Sequence, residues 1–266
     1  MSGSAQMGII YQETAAAGDD EIRAQNEVDI GLSMSGTSDS GFSFGAAINI
    51  SGGAGDDLIE DSVAHISGAF GKLSIGNNVA EADVQGGIDD VGYDGLGVDD
   101  SAESLDGGSS SVHNVSWSTS FTGVTLAAST NLATAAGSPF AVGAKYSASG
   151  FTVGVGYMDT DAVATGDVTS GYLAYAGGPL TIKAMASRRN VAAAGGDVLA
   201  TGASLAYALT DTMTFTVAGS DTDAAGDDAD VGLGMSLKLG GGASFSAGAS
   251  RVNDLSRASA GLSFSF

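Results

Sequence analysis

Apolar and small polar residues take turns along most of this chain. Phe42, Phe44, Ala46, Ile48 and Ile50 alternate with Ser43, Gly45, Ala47, Asn49 and Ser51. Phe151, Val153, Val155 and Tyr157 alternate with Thr152, Gly154, Gly156 and Met158, and Met213, Phe215 and Val217 with Thr214, Thr216 and Ala218. The chain closes in the same way, with Leu262, Phe264 and Phe266 against Gly261, Ser263 and Ser265. Successive side chains of a strand point to opposite faces, so each segment has one apolar face and one small, polar face. About sixteen such segments can be placed, near residues 2–12, 24–35, 42–51, 62–69, 72–77, 110–120, 124–131, 140–147, 151–159, 168–176, 179–188, 198–208, 213–220, 230–238, 243–252 and 256–266. Most have about the 9–11 residues that a tilted strand needs to cross the hydrocarbon layer of a bilayer.

The connections between these segments differ in kind. Residues 36–41, 69–71, 122–123, 148–150, 177–178, 209–212 and 239–242 read as tight hairpin turns, whereas 54–61, 160–167 and 221–230 are longer and acidic. Short turns at one end and long loops at the other predict an all-β fold over residues 1–266, a transmembrane, antiparallel, up-and-down barrel of sixteen strands. An even strand number lets the first and last strands pair. Such a barrel is wide enough to hold an aqueous channel, and the inward residues here are too small to fill it.

One connection stands apart. Residues 78–108 carry nine acids, Glu81, Asp83, Asp89, Asp90, Asp94, Asp99, Asp100, Glu103 and Asp106, and no Lys or Arg. Unstructured connections of this length are uncommon and usually functional. It is the only segment long enough to narrow the lumen, so it is expected to fold inward and form a constriction.

Composition sharpens this reading. The 42 Gly exclude a helical protein, since Gly in a helix interior costs about 1 kcal/mol relative to Ala. The absence of Cys excludes disulfides and thiolate metal sites. The formal charge of −22 makes nucleic acid an improbable partner and cations natural ones. Mean hydropathy is slightly positive at +0.18, yet no apolar run approaches the roughly 20 residues of a spanning helix. Met1 is followed directly by Ser2-Gly3-Ser4 with no apolar stretch, so the sequence is expected to be a mature form whose export signal is absent.

No enzyme constellation emerges. The two histidines, His65 and His113, sit in different strands and read as wall or interface residues. Asp221, Asp223 and Gly226 match the start of a calcium loop, but Gly232 stands where the bidentate Glu belongs and no helices flank it. A solvated acidic loop is favoured there, with weak Ca²⁺ or Mg²⁺ binding as the alternative, and likewise at Asp99 with Asp100 and at Asp56 with Asp57. Such ions could bridge neighbouring carboxylates; no cofactor is required. Gly240-Gly241-Gly242 reads as a turn rather than a phosphate cradle. Trp117, Phe140, Tyr146, Phe151, Tyr157 and Phe264 could form interfacial aromatic girdles.

Two stretches carry a more specific likeness. Met34-Ser35-Gly36-Thr37-Ser38-Asp39-Ser40-Gly41-Phe42-Ser43-Phe44-Gly45-Ala46 and Ile66-Ser67-Gly68-Ala69-Phe70-Gly71-Lys72-Leu73-Ser74-Ile75-Gly76 resemble the alphaproteobacterial, Rhodobacter-type general diffusion porins, as do Ser2 to Gly8 and the terminal strand ending in Phe266. The resemblance implies a homotrimer in the Gram-negative outer membrane, in contact with lipid and lipopolysaccharide, that passes small hydrophilic solutes. It also implies that the loop's acids face a basic cluster on the wall. This chain departs from that pattern, with Gln6, Glu27, Asp29 and Asn49 where wall bases are expected. By alternation the inward bases are Arg23, Lys145, Lys183, Lys238 and Arg257, scattered over several strands. A net-negative, cation-preferring lumen is therefore expected. The rival readings are a secreted, acidic, Gly-rich β protein resembling calcium-dependent adhesins, and a substrate-specific outer-membrane channel.

Overall fold

The computed structural model describes residues 1–14, 21–53, 61–78, 86–103, 113–132, 139–160, 166–190, 196–224, 226 and 228–266. Among these lie sixteen strands: β1 (Ser2–Gln12), β2 (Glu21–Thr37), β3 (Ser43–Gly53), β4 (Asp61–Gly68), β5 (Gly71–Asn78), β6 (His113–Phe121), β7 (Val124–Thr130), β8 (Phe140–Ala148), β9 (Phe151–Asp159), β10 (Asp167–Gly177), β11 (Leu180–Asn190), β12 (Val198–Ala208), β13 (Met213–Thr222), β14 (Asp230–Gly240), β15 (Ala243–Val252) and β16 (Leu255–Ser265). Each pairs antiparallel with its chain neighbours, and β1 pairs with β16, so the sheet closes into a barrel. One helical turn, α1 (Asp100–Glu103), lies between β5 and β6.

One strand start differs from the sequence reading by three residues, the other described ends by two at most. β2 begins at Glu21 instead of 24, because its register with β1 runs unbroken from Ser2↔Gly31 to Gln12↔Glu21. Charged Glu21 and Arg23 hide the alternation there, yet backbone pairing does not depend on it. β6 is described from His113, and residues 110–112, where the sequence reading starts that strand, lie outside the described residues.

Register shows why the strands close. Ile30 lies opposite Ile50, Leu32 opposite Ile48 and Val217 opposite Leu233, so apolar side chains line up from strand to strand. The band remains open to the surroundings: Val217 is 57% exposed and Leu233 58%. A band of this kind would be an association hazard in water but is matched to hydrocarbon. It argues against the secreted, soluble alternative. The rings of Phe151 and Tyr175 lie 4.7 Å apart and those of Phe42 and Phe70 6.0 Å apart, all near the short turns. Trp117 Nε1 donates to the Phe70 carbonyl at 2.8 Å, while Phe140 and Tyr157 pair near the long-loop end. Aromatics at both rims of an apolar band mark the membrane interfaces.

The short turns are built by residues that tolerate left-handed backbone. Thr122 and Gly123 have φ of 47° and 82°, the two positive values that a type I′ hairpin requires. At the junction of first and last strands, the Phe266 amide donates to the Gly3 carbonyl at 2.9 Å.

Candidate functional site

Inside the barrel, the wall from β12 to β16 and on to β1 presents an unusual surface of Gly and Ser. Its inward positions include Gly202, Ser204, Ser220, Gly232, Gly234, Gly248, Ser250, Ser259, Gly261 and Gly8, brought side by side by the strand register. Residues 86–103 of the acidic loop lie directly on this surface. A methyl group at Gly248 would come within 2.6 Å of the Gly92 Cα, one at Gly232 within 2.7 Å of Val91 and Val98, and one at Gly8 within 2.5 Å of the Tyr93 ring. Glycine is needed at these places because no side chain fits beneath the loop.

Serines supply the polar half of the seat. The Tyr93 amide donates to Ser259 Oγ at 3.0 Å, and Ser259 Oγ donates back to the Tyr93 carbonyl at 2.6 Å. Ser250 donates to the Leu96 carbonyl at 3.2 Å and Ser220 to that of Val98. Ile88, Val91, Leu96, Val98 and Ala102 pack with wall residues Met185, Ala218 and Val252 into the largest buried apolar cluster among the described residues. The loop is thus fixed by a small hydrophobic core and by hydrogen bonds worth about 1 kcal/mol each. It folds inward, as its length and composition suggested. Sequence reading took the inward Gly and Ser as mere lack of bulk; their concentration on β12–β16 was the available sign of a seat.

The loop's acids then divide by role. Asp89 pairs with Lys183 Nζ at 2.6 Å and accepts from Ser204 Oγ at 3.0 Å, so Lys183 is committed to the loop. Glu103 Oε1 accepts the Ile88 amide at 3.0 Å, which ties α1 back to the start of the segment. Ser101 donates to Asp230 Oδ2 on β14 at 2.6 Å. The other four, Asp90, Asp94, Asp99 and Asp100, line a cavity of about 540 Å³ together with Gln6, Gln12, Arg23 and Arg257. Glu81, Asp83 and Asp106 lie outside the described residues.

Arg23 and Arg257 are not scattered, contrary to the sequence reading. Arg23 lies opposite Ile10 and Arg257 opposite Gln12, so they flank the end of β1 from its two neighbours. Arg257 also donates to the Leu96 carbonyl at 3.3 Å. Strand pairing across the β1–β16 closure joins two residues that are distant in sequence, which alternation alone does not reveal.

On the same wall, Glu27 and Asp29 point inward as expected. Gln6 Nε2 donates to Glu27, Ser51 Oγ donates to Asp29 at 2.7 Å, and Ser4 Oγ donates to Asp29 at 3.2 Å. Asn49 lines a second cavity with Asp29. Lys145 shares the inward face with Thr125 and Gly154. Among the described residues, no three His, Asp or Glu side chains converge as a metal site would. Asp223 is used instead to accept the Leu199 amide at 2.6 Å, and Asp221 pairs with Thr201 on the outward face.

Asp99 has the most altered acidity of the described loop acids. Burial, then the charge of Asp90 and a smaller contribution from Glu103, raise its carboxyl to about 7. The cavity therefore loses one negative charge when pH falls through neutrality. The pull that this cavity exerts on cations is expected to weaken between about pH 8 and pH 6, and to become pH-independent there in Asp99→Asn. Reversal potentials measured across that range check this.

A closed barrel with a lipid-matched exterior, narrowed by a charged loop fixed to its inner wall, is a transmembrane channel. The chain belongs to the Gram-negative porin family, matched over residues 1–256, whose members reside in the outer membrane. A porin from Rhodobacter capsulatus is 33% identical over 97 residues, covering 36% of this chain and 30% of that protein, so the match spans under a third of the relative's length. Among solved structures, a mutant of the Rhodopseudomonas blastica porin superposes with a TM-score of 0.81 at 20% identity, over 100% of this chain and 99% of that one. A triple mutant of the same porin gives 0.76 at 19% identity and equal coverage.

Proposed function

We propose that this porin is a passive diffusion channel for small hydrophilic solutes that prefers cations, with the loop acids as its constriction and Glu27 and Asp29 as part of its wall. The supporting observation is the charge balance around the loop cavity, where four carboxylates, Asp90, Asp94, Asp99 and Asp100, meet two guanidiniums, Arg23 and Arg257. Even with Asp99 protonated the balance stays negative, and carboxylate rings favour cations. Glu27 and Asp29 add to it without an ion-pair partner among the described residues. By family analogy the working unit is a homotrimer embedded among lipid and lipopolysaccharide, whose phosphates could be bridged by Ca²⁺ or Mg²⁺ at the acidic loops.

A reversal potential in a KCl gradient across a planar bilayer tests this. The expected sign is that of K⁺ permeating faster than Cl⁻; a clear anion preference would overturn the reading.

A further inference from the structure

All four lysines of the chain sit at one end of the barrel and all five arginines at the other. Lys72 follows the first residue of β5, and Lys183 comes soon after the start of β11. Lys145 and Lys238 come just before the ends of β8 and β14. All of these strand ends join short turns. By register each lysine faces the lumen: Lys72 lies opposite Ser67 and Ser118, Lys145 opposite Gly154, Lys183 opposite Ser204 and Lys238 opposite Ser244. They occupy every third strand, β5, β8, β11 and β14, so neighbours are about 14 Å apart around the wall at about 4.8 Å per strand.

The lumen-facing carboxylate Asp29 lies outside this arc, beside Ser4 and Ser265 on the wall from β16 through β1 to β2. Only Asp39 and Asp211 occur in the short turns, and neither forms an ion pair with a lysine. Among the described residues Lys72, Lys145 and Lys238 have no carboxylate within ion-pair distance; only Lys183 does, through Asp89 of the loop. At the long-loop end the arginines lie among acids, as in Arg251 with Asp254 at 2.7 Å and Arg188 with Asp197. Along the pore axis a negative zone of loop acids thus meets a positive zone of lysines, with the Lys183–Asp89 pair at the junction.

We propose that this axial polarity makes the channel a rectifier, conducting better when the long-loop side is positive. With that polarity cations enter through the acidic mouth and anions through the lysine mouth, so each carrier is drawn in by the fixed charge it meets first. Reversing the voltage draws each carrier from the mouth that repels it, and the junction is depleted. The effect is separate from net selectivity, which the narrowest section governs.

Current–voltage curves of the full chain, inserted in one orientation, test the proposal. The two polarities should differ by roughly twofold in about 0.1 M KCl, where the Debye length of about 10 Å lets neighbouring lysine fields overlap. The difference should vanish in about 1 M KCl, where that length is about 3 Å. It should also vanish in a Lys72→Gln, Lys145→Gln, Lys238→Gln triple variant, which removes no ion pair among the described residues and whose barrel is checked by circular dichroism. Symmetric curves at low salt, an opposite sense of rectification, or asymmetry unchanged in the folded triple variant would overturn it. The reversal potential is read separately, so loss of rectification and loss of cation preference remain distinguishable.

Discussion

Adding two methyl groups to the wall, as Gly234→Ala with Gly248→Ala, should release the loop and widen the pore while leaving the barrel closed. At Gly248 the new Cβ would meet the Gly92 Cα at 2.6 Å, and at Gly234 it would meet the Gly92 amide nitrogen. Both obstacles are backbone, so no rotamer change relieves them. Packed surfaces do not deform gradually, and overpacking costs about 1–3 kcal/mol per site. Two sites together rival the few hydrogen bonds that Ser220, Ser250 and Ser259 give to the segment. The strands lose nothing, because Gly234 and Gly248 remain paired through their backbones. Single-channel conductance should rise and exclusion of larger solutes should relax, with the far-ultraviolet spectrum unchanged. Gly171→Ala serves as the control, since a Cβ there meets nothing within 4 Å. Unchanged conductance in a folded double variant would mean that the loop is not held by this seat.

Most of the barrel could be read from the chain because one physical signal, side-chain alternation, repeats in every strand and depends only on local geometry. It failed where charge masked it, as at Glu21 and Arg23. The loop's inward course was legible from its length. What held it there was not, since the seat combines Gly8, Gly202, Gly232, Gly248 and Gly261 from five strands whose register is set by pairing rather than by sequence order. Tyr93 shows the same limit. Nothing around it marks a buried ring, yet it is 1% exposed, because two inward glycines leave it room. The meeting of Arg23 with Arg257 depends on closure between the first and last strands, a contact of long sequence separation.

Replacing Glu27 and Asp29 together by Lys should carry the channel from cation towards anion preference. The two carboxylates are two residues apart on one strand and both face the lumen, so the double substitution moves the local wall charge by four units. An ion passing at about 7 Å in water interacts with one unit charge by roughly 0.6 kcal/mol, and screening in 0.1 M salt about halves that. Four units then amount to about 1 kcal/mol against a cation and as much in favour of an anion, or roughly thirtyfold in the permeability ratio. The hydroxyls of Ser4 and Ser51, which now donate to Asp29, can accept from a lysine ammonium instead, so the fold should survive. Glu27→Gln with Asp29→Asn, a change of half the size, should give an intermediate ratio. A reversal potential that stays put in both folded variants would place selectivity entirely at the loop. In that case Asp90, Asp94 and Asp100, the other carboxylates around the cavity, would carry it with Asp99.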